Sequence, residues 1–304
     1  MAGGGGGGSS AQDAASTAAA VRERLEQQER RAEVDRLLAG QLLAYNGRDN
    51  DLVRERLDGI LESLQDAAEV DRTVFGGSVS KHTYVDGLSD VDALVILDRA
   101  PDDNRTPADL RADFATELRA NLRHGDIDSI SAGTLAVTVT YKDGQQIQVL
   151  PALHTARGTF ISSEDGQSWK RIDPGAFARD LTKVNQDAGG GVVPAIKVAK
   201  AVIAEMPEQH RVSSYHLEAL AVNAFRGYDG AYSRSEMVRY LFQAAATGVQ
   251  QRIGDVSGQS RVVDEYLGPR HSAERATVAR AMQRVATRMR DGDTHEWRRM
   301  LGLP

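Results

Sequence analysis

The chain contains no cysteine. That excludes a disulfide framework, thiolate chemistry and any zinc site built on Cys ligands. Its seven histidines are scattered and show no metal-ligand spacing. No apolar run approaches the roughly 20 residues of a membrane-spanning helix, so no membrane partner is expected. The start lacks the basic and apolar regions of a signal peptide: Met1–Ser10 is glycine-rich and is expected to be disordered. Together these absences read as a cytoplasmic protein. Positive charge is not in excess either, with a formal net charge of −6. Non-specific nucleic-acid binding is driven by neutralising phosphates, so no stable binding of that kind is expected. The balance leaves room for a local basic groove, and suits small nucleotides better than a long strand. What remains is a globular composition, 41% hydrophobic and 26% charged over 304 residues, enough for one large domain or two ordinary ones.

What is present centres on Val74–Asp98, VFGGSVSKHTYVDGLSDVDALVILD. It reads as strand, glycine turn, short helix, loop, strand. Gly76, Gly77 and Ser78 follow the apolar pair Val74-Phe75, and twelve residues after Ser78 the acids Asp90 and Asp92 open the apolar run Ala93–Leu97. Residues i and i+2 of a strand share a face, which sets the two carboxylates side by side, with Val91 and Ala93 opposite. Adjacent carboxylates repel unless a positive charge lies between them, and hard oxygen ligands suit Mg²⁺. A Gly-Gly-Ser turn lets backbone N–H groups approach a phosphate, and a helix N-terminus beside it adds a positive dipole end. A phosphate cradle followed by a metal pair points to phosphoryl or nucleotidyl transfer. Either part alone is weak: a lone Asp-x-Asp is usually a turn, a cap or a solvated pair, and a lone Gly-Gly-Ser is usually a turn. Their order, with the acids opening a strongly apolar strand, is the specific signal.

Around this stretch the periodicities predict helices over Ala11–Arg48 and Asp51–Ala68. Strands are expected at Val74-Phe75 and Val91–Leu97, then a helix over Thr106–Leu122 with Thr106 as N-cap and Pro107 at its first position. Thr134–Tyr141 alternates and is β-branched, Lys142-Asp143-Gly144 is a hairpin turn, and Gln146–Leu150 is the returning strand, stopped by Pro151. The remainder is helical, near Pro174–Asn185, Val193–Met206, Ser213–Arg226, Arg234–Gly248 and Ser272–Arg290, with Trp297 in a short last helix. Gly189-Gly190-Gly191 marks a domain boundary, giving a first domain over 11–190 and a helical lobe over 191–304.

Gly77-Ser78 followed by Ser89-Asp90-Val91-Asp92 resembles the signature of the polymerase-β-type nucleotidyltransferases. Within them it resembles the branch of archaeal CCA-adding enzymes, oligoadenylate synthetases and the bacterial cyclases of anti-phage defence, the CD-NTases. The resemblance covers most of Val74–Leu301; the N-terminal segment carries no diagnostic match. It implies an α/β (α+β) fold: a nucleotidyltransferase mixed-sheet core with N-terminal helices and a helical C-terminal lobe, and a nucleotide cleft between core and lobe. It implies Asp90 and Asp92 as ligands of Mg²⁺ or Mn²⁺, Gly77 and Ser78 as the phosphate cradle, and NTP substrates that lose pyrophosphate. By resemblance to the bacterial cyclases, the product is a cyclic or short linear oligonucleotide signal for a downstream effector.

The resembled family uses a third carboxylate, on a strand after a hairpin, in the context Asp-hydrophobic-hydrophobic-Pro. Here that context is Gln148-Val149-Leu150-Pro151, so Gln148 stands in the acidic position. Tyr141–Gly144 before it and Pro151-Ala152 after it anchor the alignment. Asp143, in the turn, is a poor substitute. An amide oxygen can ligate Mg²⁺ but brings no charge, so nucleotide binding is expected to survive better than catalysis. This departure opens a second reading, a nucleotide-binding regulator or antitoxin-like protein that has lost the reaction. A third, a template-independent RNA or tRNA nucleotidyltransferase, is weakened by the acidic charge.

Pro194–Lys200 resembles the helix carrying the family's triphosphate-contacting lysine, with Lys200 matching best and Lys197 second; an exposed helical lysine is the plain alternative. Ser213-Ser214-Tyr215-His216-Leu217-Glu218 resembles the family's Ser-Tyr-x-x-Glu helix start. It implies Ser214 on a phosphate or ribose and Tyr215 stacked on the base; an N-capping serine and a core tyrosine are the alternatives. Glu218 reads as pairing within its helix. His82 could touch phosphate. Arg280, Arg284 and Arg288 recur every fourth residue, usually a solvated face, with contact to nucleotide or RNA as the alternative, and Ile253–Gly268 resembles a late loop of the family.

Overall fold

Helices open and close the chain, and strands fill its middle. The computed structural model describes residues 8–46, 50–65, 70–75, 83, 91–98, 105–123, 125–163, 165–258 and 260–304. Two helices, α1 (Gly8–Asn46) and α2 (Asn50–Gln65), precede strands β1 (Val70–Phe75) and β2 (Val91–Asp98). After α3 (Pro107–Asn121) come β3 (Ile127–Ala132), β4 (Val137–Tyr141), β5 (Gln146–Thr155), β6 (Gly158–Ser162) and β7 (Trp169–Ile172). The rest is helical: α4 (Ala176–Asp187), α5 (Val192–Ala204), α6 (Ser214–Phe225), α7 (Arg234–Gly248), α8 (Ala273–Asp291) and α9 (Thr294–Met300). Among the described residues, no helix is long and apolar enough to cross a membrane. Gly8–Ser10, expected to be disordered, lie in α1. The expected glycine turn and short helix after β1 fall outside the described residues, apart from Thr83.

The described strands form one seven-stranded mixed sheet in the order β1-β2-β5-β4-β3, with β6 paired to β5 and β7 to β6. β2 and β5 run parallel, and the other pairings are antiparallel. β5 is the axis: its first half lies between β2 and β4, its second half between β2 and β6. Pro151 does not stop this strand. It falls at the handover between β4, last paired at Val149, and β6, first paired at Ala152, so on that side no ladder partner requires its missing N–H. Strands β3, β6 and β7 were not expected. β7 has four residues, and β3 (IDSISA) has too few apolar positions to alternate clearly.

Alternation divides the sheet into two faces. Ala93, Val95, Leu97, Val137, Val139, Tyr141, Ile147 and Val149 are buried with Leu57, Ile60 and Leu64 of α2 and Leu110, Phe114 and Leu118 of α3. Each of the Val, Leu, Ile and Phe side chains among them contributes about 1.5–3 kcal/mol on full burial. The opposite face carries a smaller cluster of Leu94, Ile96, Ala152 and Ile161. The start of α3 is as expected: Thr106 and Asp109 form a reciprocal capping box, with Pro107 in the first turn. From α2, the buried Arg56 reaches Asp126, Asp143 and Gln145 and lies 3.9 Å from the centre of the Tyr141 ring. Asp143 is therefore committed to fastening the β4–β5 hairpin onto α2.

The helical core is a separate cluster. It includes Ile196 of α5, Leu217 of α6, Leu241 of α7, Met282 of α8 and Trp297 of α9. Val34, Leu38 and Leu42 of α1 and Phe177, Leu181 and Val184 of α4 belong to it as well. Both α1 and α4 thus pack with helices that follow Gly189-Gly190-Gly191. Asp35 of α1 even accepts a hydrogen bond from the Ser235 N–H (2.8 Å) at the start of α7, where Ser233 makes no side-chain cap.

Candidate nucleotide site

The register of three strands sets the first part of the site. Gln148 of β5 is paired with Asp92 of β2 on one side and Thr138 of β4 on the other. Its neighbours Ile147 and Val149 are buried in the core shared with α2 and α3, so the half-buried Gln148 belongs to the opposite face. Position 92 falls in the same row by register. Gly77, Ser78, His82 and Asp90 lie outside the described residues. Among the described residues no group of three His, Cys, Asp or Glu could hold a metal.

The second part is the start of α6. Ser213 is the N-cap, accepting from the His216 N–H, which leaves Ser214 exposed in the first turn. Tyr215 is half-buried, its ring 4.9 Å from that of Phe177 and its hydroxyl donating to Asp255 at 2.6 Å. Burial, and then this contact with a carboxylate, push the Tyr215 phenol well above its ordinary value. Asp255 also accepts from the backbone and hydroxyl groups of Ser257 and Ser260, and these bonds outweigh the burial that would raise its pKa, leaving it below the ordinary value. The late loop is thus docked on the α6 start.

Arg275 of α8 holds that loop from beneath. It is fully buried and donates to the carbonyls of Val249 (2.7 Å), Gln251 (2.7 Å) and Pro269 (3.0 Å) and to the Asp264 carboxylate (2.8 Å). Tyr266 completes the attachment: its oxygen accepts from the Ser213 N–H and lies 2.9 Å from His216 Nδ1. Which of the two atoms donates in that contact depends on the imidazole tautomer. Nε2 faces Asp264 at 3.9 Å, beyond hydrogen-bond reach. Burial, opposed by Asp264 and aided by Arg275, lowers the His216 pKa to about 4.

The lysines of α5 are arranged differently from a solvated pair. Lys200 is buried; its ammonium lies 2.8 Å from the Glu218 carboxylate of α6 and 3.0 Å from the Thr83 carbonyl. Glu218 therefore pairs across to α5 and not within its own helix. The apolar neighbours Val198, Ala199, Ala201 and Val202 carried the signal of burial in the sequence, and a buried ammonium needs a counter-charge, but they did not name its partner. Lys197, one turn earlier, is half-buried, and its pKa is lowered by burial and then by the Lys200 charge. Arg280, Arg284 and Arg288 are exposed, with Arg280 bonded to Thr277 and Arg288 to Glu296.

No family model matches the sequence, and no curated protein does. Solved structures do. The apo form of Vibrio cholerae DncV superposes with a TM-score of 0.62 at 13% identity, over 95% of this chain and 88% of that one. Escherichia coli MS115-1 CdnC with ATP gives 0.61 at 14% identity, over 83% and 90%. The Bradyrhizobium diazoefficiens CD-NTase CdnG in complex with GTP gives 0.59 at 15% identity, over 82% and 91%. The chain has the nucleotidyltransferase fold of these bacterial proteins.

Proposed function

We propose that this chain is a divalent-metal-dependent nucleotidyltransferase. It would consume NTPs, release pyrophosphate and make a cyclic or short linear oligonucleotide signal in anti-phage defence, answered by a downstream effector. The observation that carries this reading is the row Asp92–Gln148–Thr138, set in a fold similar to that of CdnC with ATP and CdnG with GTP. The donors fit a hard cation: carboxylate oxygens at Asp90 and Asp92 and an amide oxygen at Gln148 would hold Mg²⁺ or Mn²⁺, with one negative charge fewer than a third acid would bring. Such an ion would neutralise triphosphate charge and favour ionisation of the attacking hydroxyl.

The chain's own groups do the rest. Backbone N–H groups at Gly77 and Ser78 would cradle the phosphates. Ser214, exposed at the start of α6, would reach a phosphate or ribose beside that helix end. The Tyr215 ring, fixed by Phe177 and Asp255, would stack on the base. The reaction is in-line attack of a ribose hydroxyl on an α-phosphate: an O–P bond forms as the α–β bridging bond breaks and pyrophosphate leaves.

Incubating the protein with all four NTPs and Mg²⁺ or Mn²⁺, and separating products by mass spectrometry, tests the proposal. Cyclic or linear oligonucleotides with stoichiometric pyrophosphate support it. Metal-dependent NTP binding without product would favour the second reading, a nucleotide-binding regulator, which the neutral Gln148 supports.

A further inference from the structure

Lys200 and Glu218 are 2.8 Å apart, and their side chains are 3% and 1% exposed. Thr83, also buried, joins both: its carbonyl and, more distantly, its hydroxyl oxygen lie within reach of the ammonium, while its hydroxyl donates to Glu218. An ammonium has three donors, and among the described residues three oxygens lie within reach of this one. Moving Lys200 onto a triphosphate would take the Glu218 carboxylate's buried counter-charge away, a costly arrangement. Thr83 lies in the chain between Ser78 and Asp90, the two ends of the expected cradle and metal motif. Glu218 lies one turn along α6 from Tyr215.

We infer that Lys200 is a positioning residue. With Glu218 it forms a buried clamp that fixes Thr83 against α5 and α6, and so registers the chain bearing Ser78 and Asp90 to the helix bearing Ser214 and Tyr215. The clamp stands on geometry; its effect on nucleotide rests on the proposed function. In this arrangement Lys200 acts through Thr83 and not by touching phosphate.

Two readouts on the whole 304-residue chain test this, using Thr83→Val, Glu218→Gln and Lys200→Met. The first is amide hydrogen exchange. All three variants should speed exchange across residues 76–90, by about tenfold for the two charge removals, while the β3–β4 hairpin keeps its parental rate. The second is ATP and GTP affinity with Mg²⁺ by calorimetry. Each variant should weaken binding, and adding Lys200→Met to Glu218→Gln should cost less than about twofold more, because the two residues act as one ion pair. Unchanged exchange across 76–90 would overturn the clamp. So would tighter NTP binding by Glu218→Gln, the outcome expected if Lys200 were a phosphate ligand freed from a competitor. If Lys200→Met does not fold, the near-isosteric Thr83→Val and Glu218→Gln decide alone. If the parent binds no NTP, the proposed function fails, and exchange still decides the clamp.

Discussion

Gln148 and Asp92 stand side by side, paired Cα to Cα across the parallel ladder of β5 and β2. The pairing runs without a bulge from Val91–Ile147 to Asp98–His154, so the amide is not a carboxylate position displaced by a slip. A one-residue slip would have turned Gln148 into the core face and exposed Ile147 or Val149. Gln148 therefore differs from the resembled pattern in its side chain, on an unbroken ladder.

A neutral amide should bind Mg²⁺ more weakly than a carboxylate. If the parent is active, its pyrophosphate release should need high Mg²⁺ or prefer Mn²⁺, and Gln148→Asp should raise turnover at low Mg²⁺. Initial rates across a metal titration measure this. A parent that saturates at low Mg²⁺ and is slowed by Gln148→Asp would show that position 148 is not a defective ligand.

The acids themselves give a second expectation. Replacing Asp90 and Asp92 together by Ala should abolish metal-dependent NTP binding, read by calorimetry with and without chelator. The ligand-free melting temperature should stay equal or rise, since like-charge repulsion is relieved. A double variant that binds NTP–Mg²⁺ as tightly as the parent would place the site elsewhere.

The sequence made the backbone of this site legible because its signals are local. Val91–Leu97 is apolar and β-branched, Tyr141–Gly144 spells a hairpin, and Thr106-Pro107 spells a helix start; β2, β4 and α3 lie where those signals place them. Pro151 misled because its meaning depends on which strand lies alongside, a non-local fact. Lys200 and Glu218 are 18 residues apart, on different helices, so their pairing had no periodicity to reveal it. Thr83 was invisible for the same reason: nothing in a threonine between a Gly-Gly-Ser sequence and two acids announces a buried partner. The Arg275 hub draws on Val249, Gln251, Asp264 and Pro269, acceptors that only the folded loop brings together.

That hub carries a third prediction. Arg275→Met keeps an unbranched apolar stem but removes every donor, leaving Asp264 buried without its guanidinium and several carbonyls without this partner. Loss of one partner of such a pair costs about 3–5 kcal/mol. Denaturant unfolding should show a drop of that size. A loss under about 1 kcal/mol would mean that water replaces the guanidinium at little cost.

His216 adds a dependence on pH whose sign follows from its environment. Its folded pKa is about 4 against an ordinary 6.5, with burial the main cause, Asp264 pulling the other way and Arg275 adding to the shift. Between those values the unfolded chain holds a proton on this residue that the folded chain does not. More protons bound in the unfolded state means that stability rises with pH. The contribution of His216 is therefore fully present above about pH 6.5 and is lost as pH falls towards 4, by a total on the order of 3 kcal/mol. Urea unfolding at a series of pH values, parent against His216→Gln, isolates it. The variant cannot take up that proton, so the difference between the two curves should narrow as pH falls through this window. Parallel curves would mean that protonated His216 is accommodated, with Asp264 close enough in solution to accept its Nε2 proton.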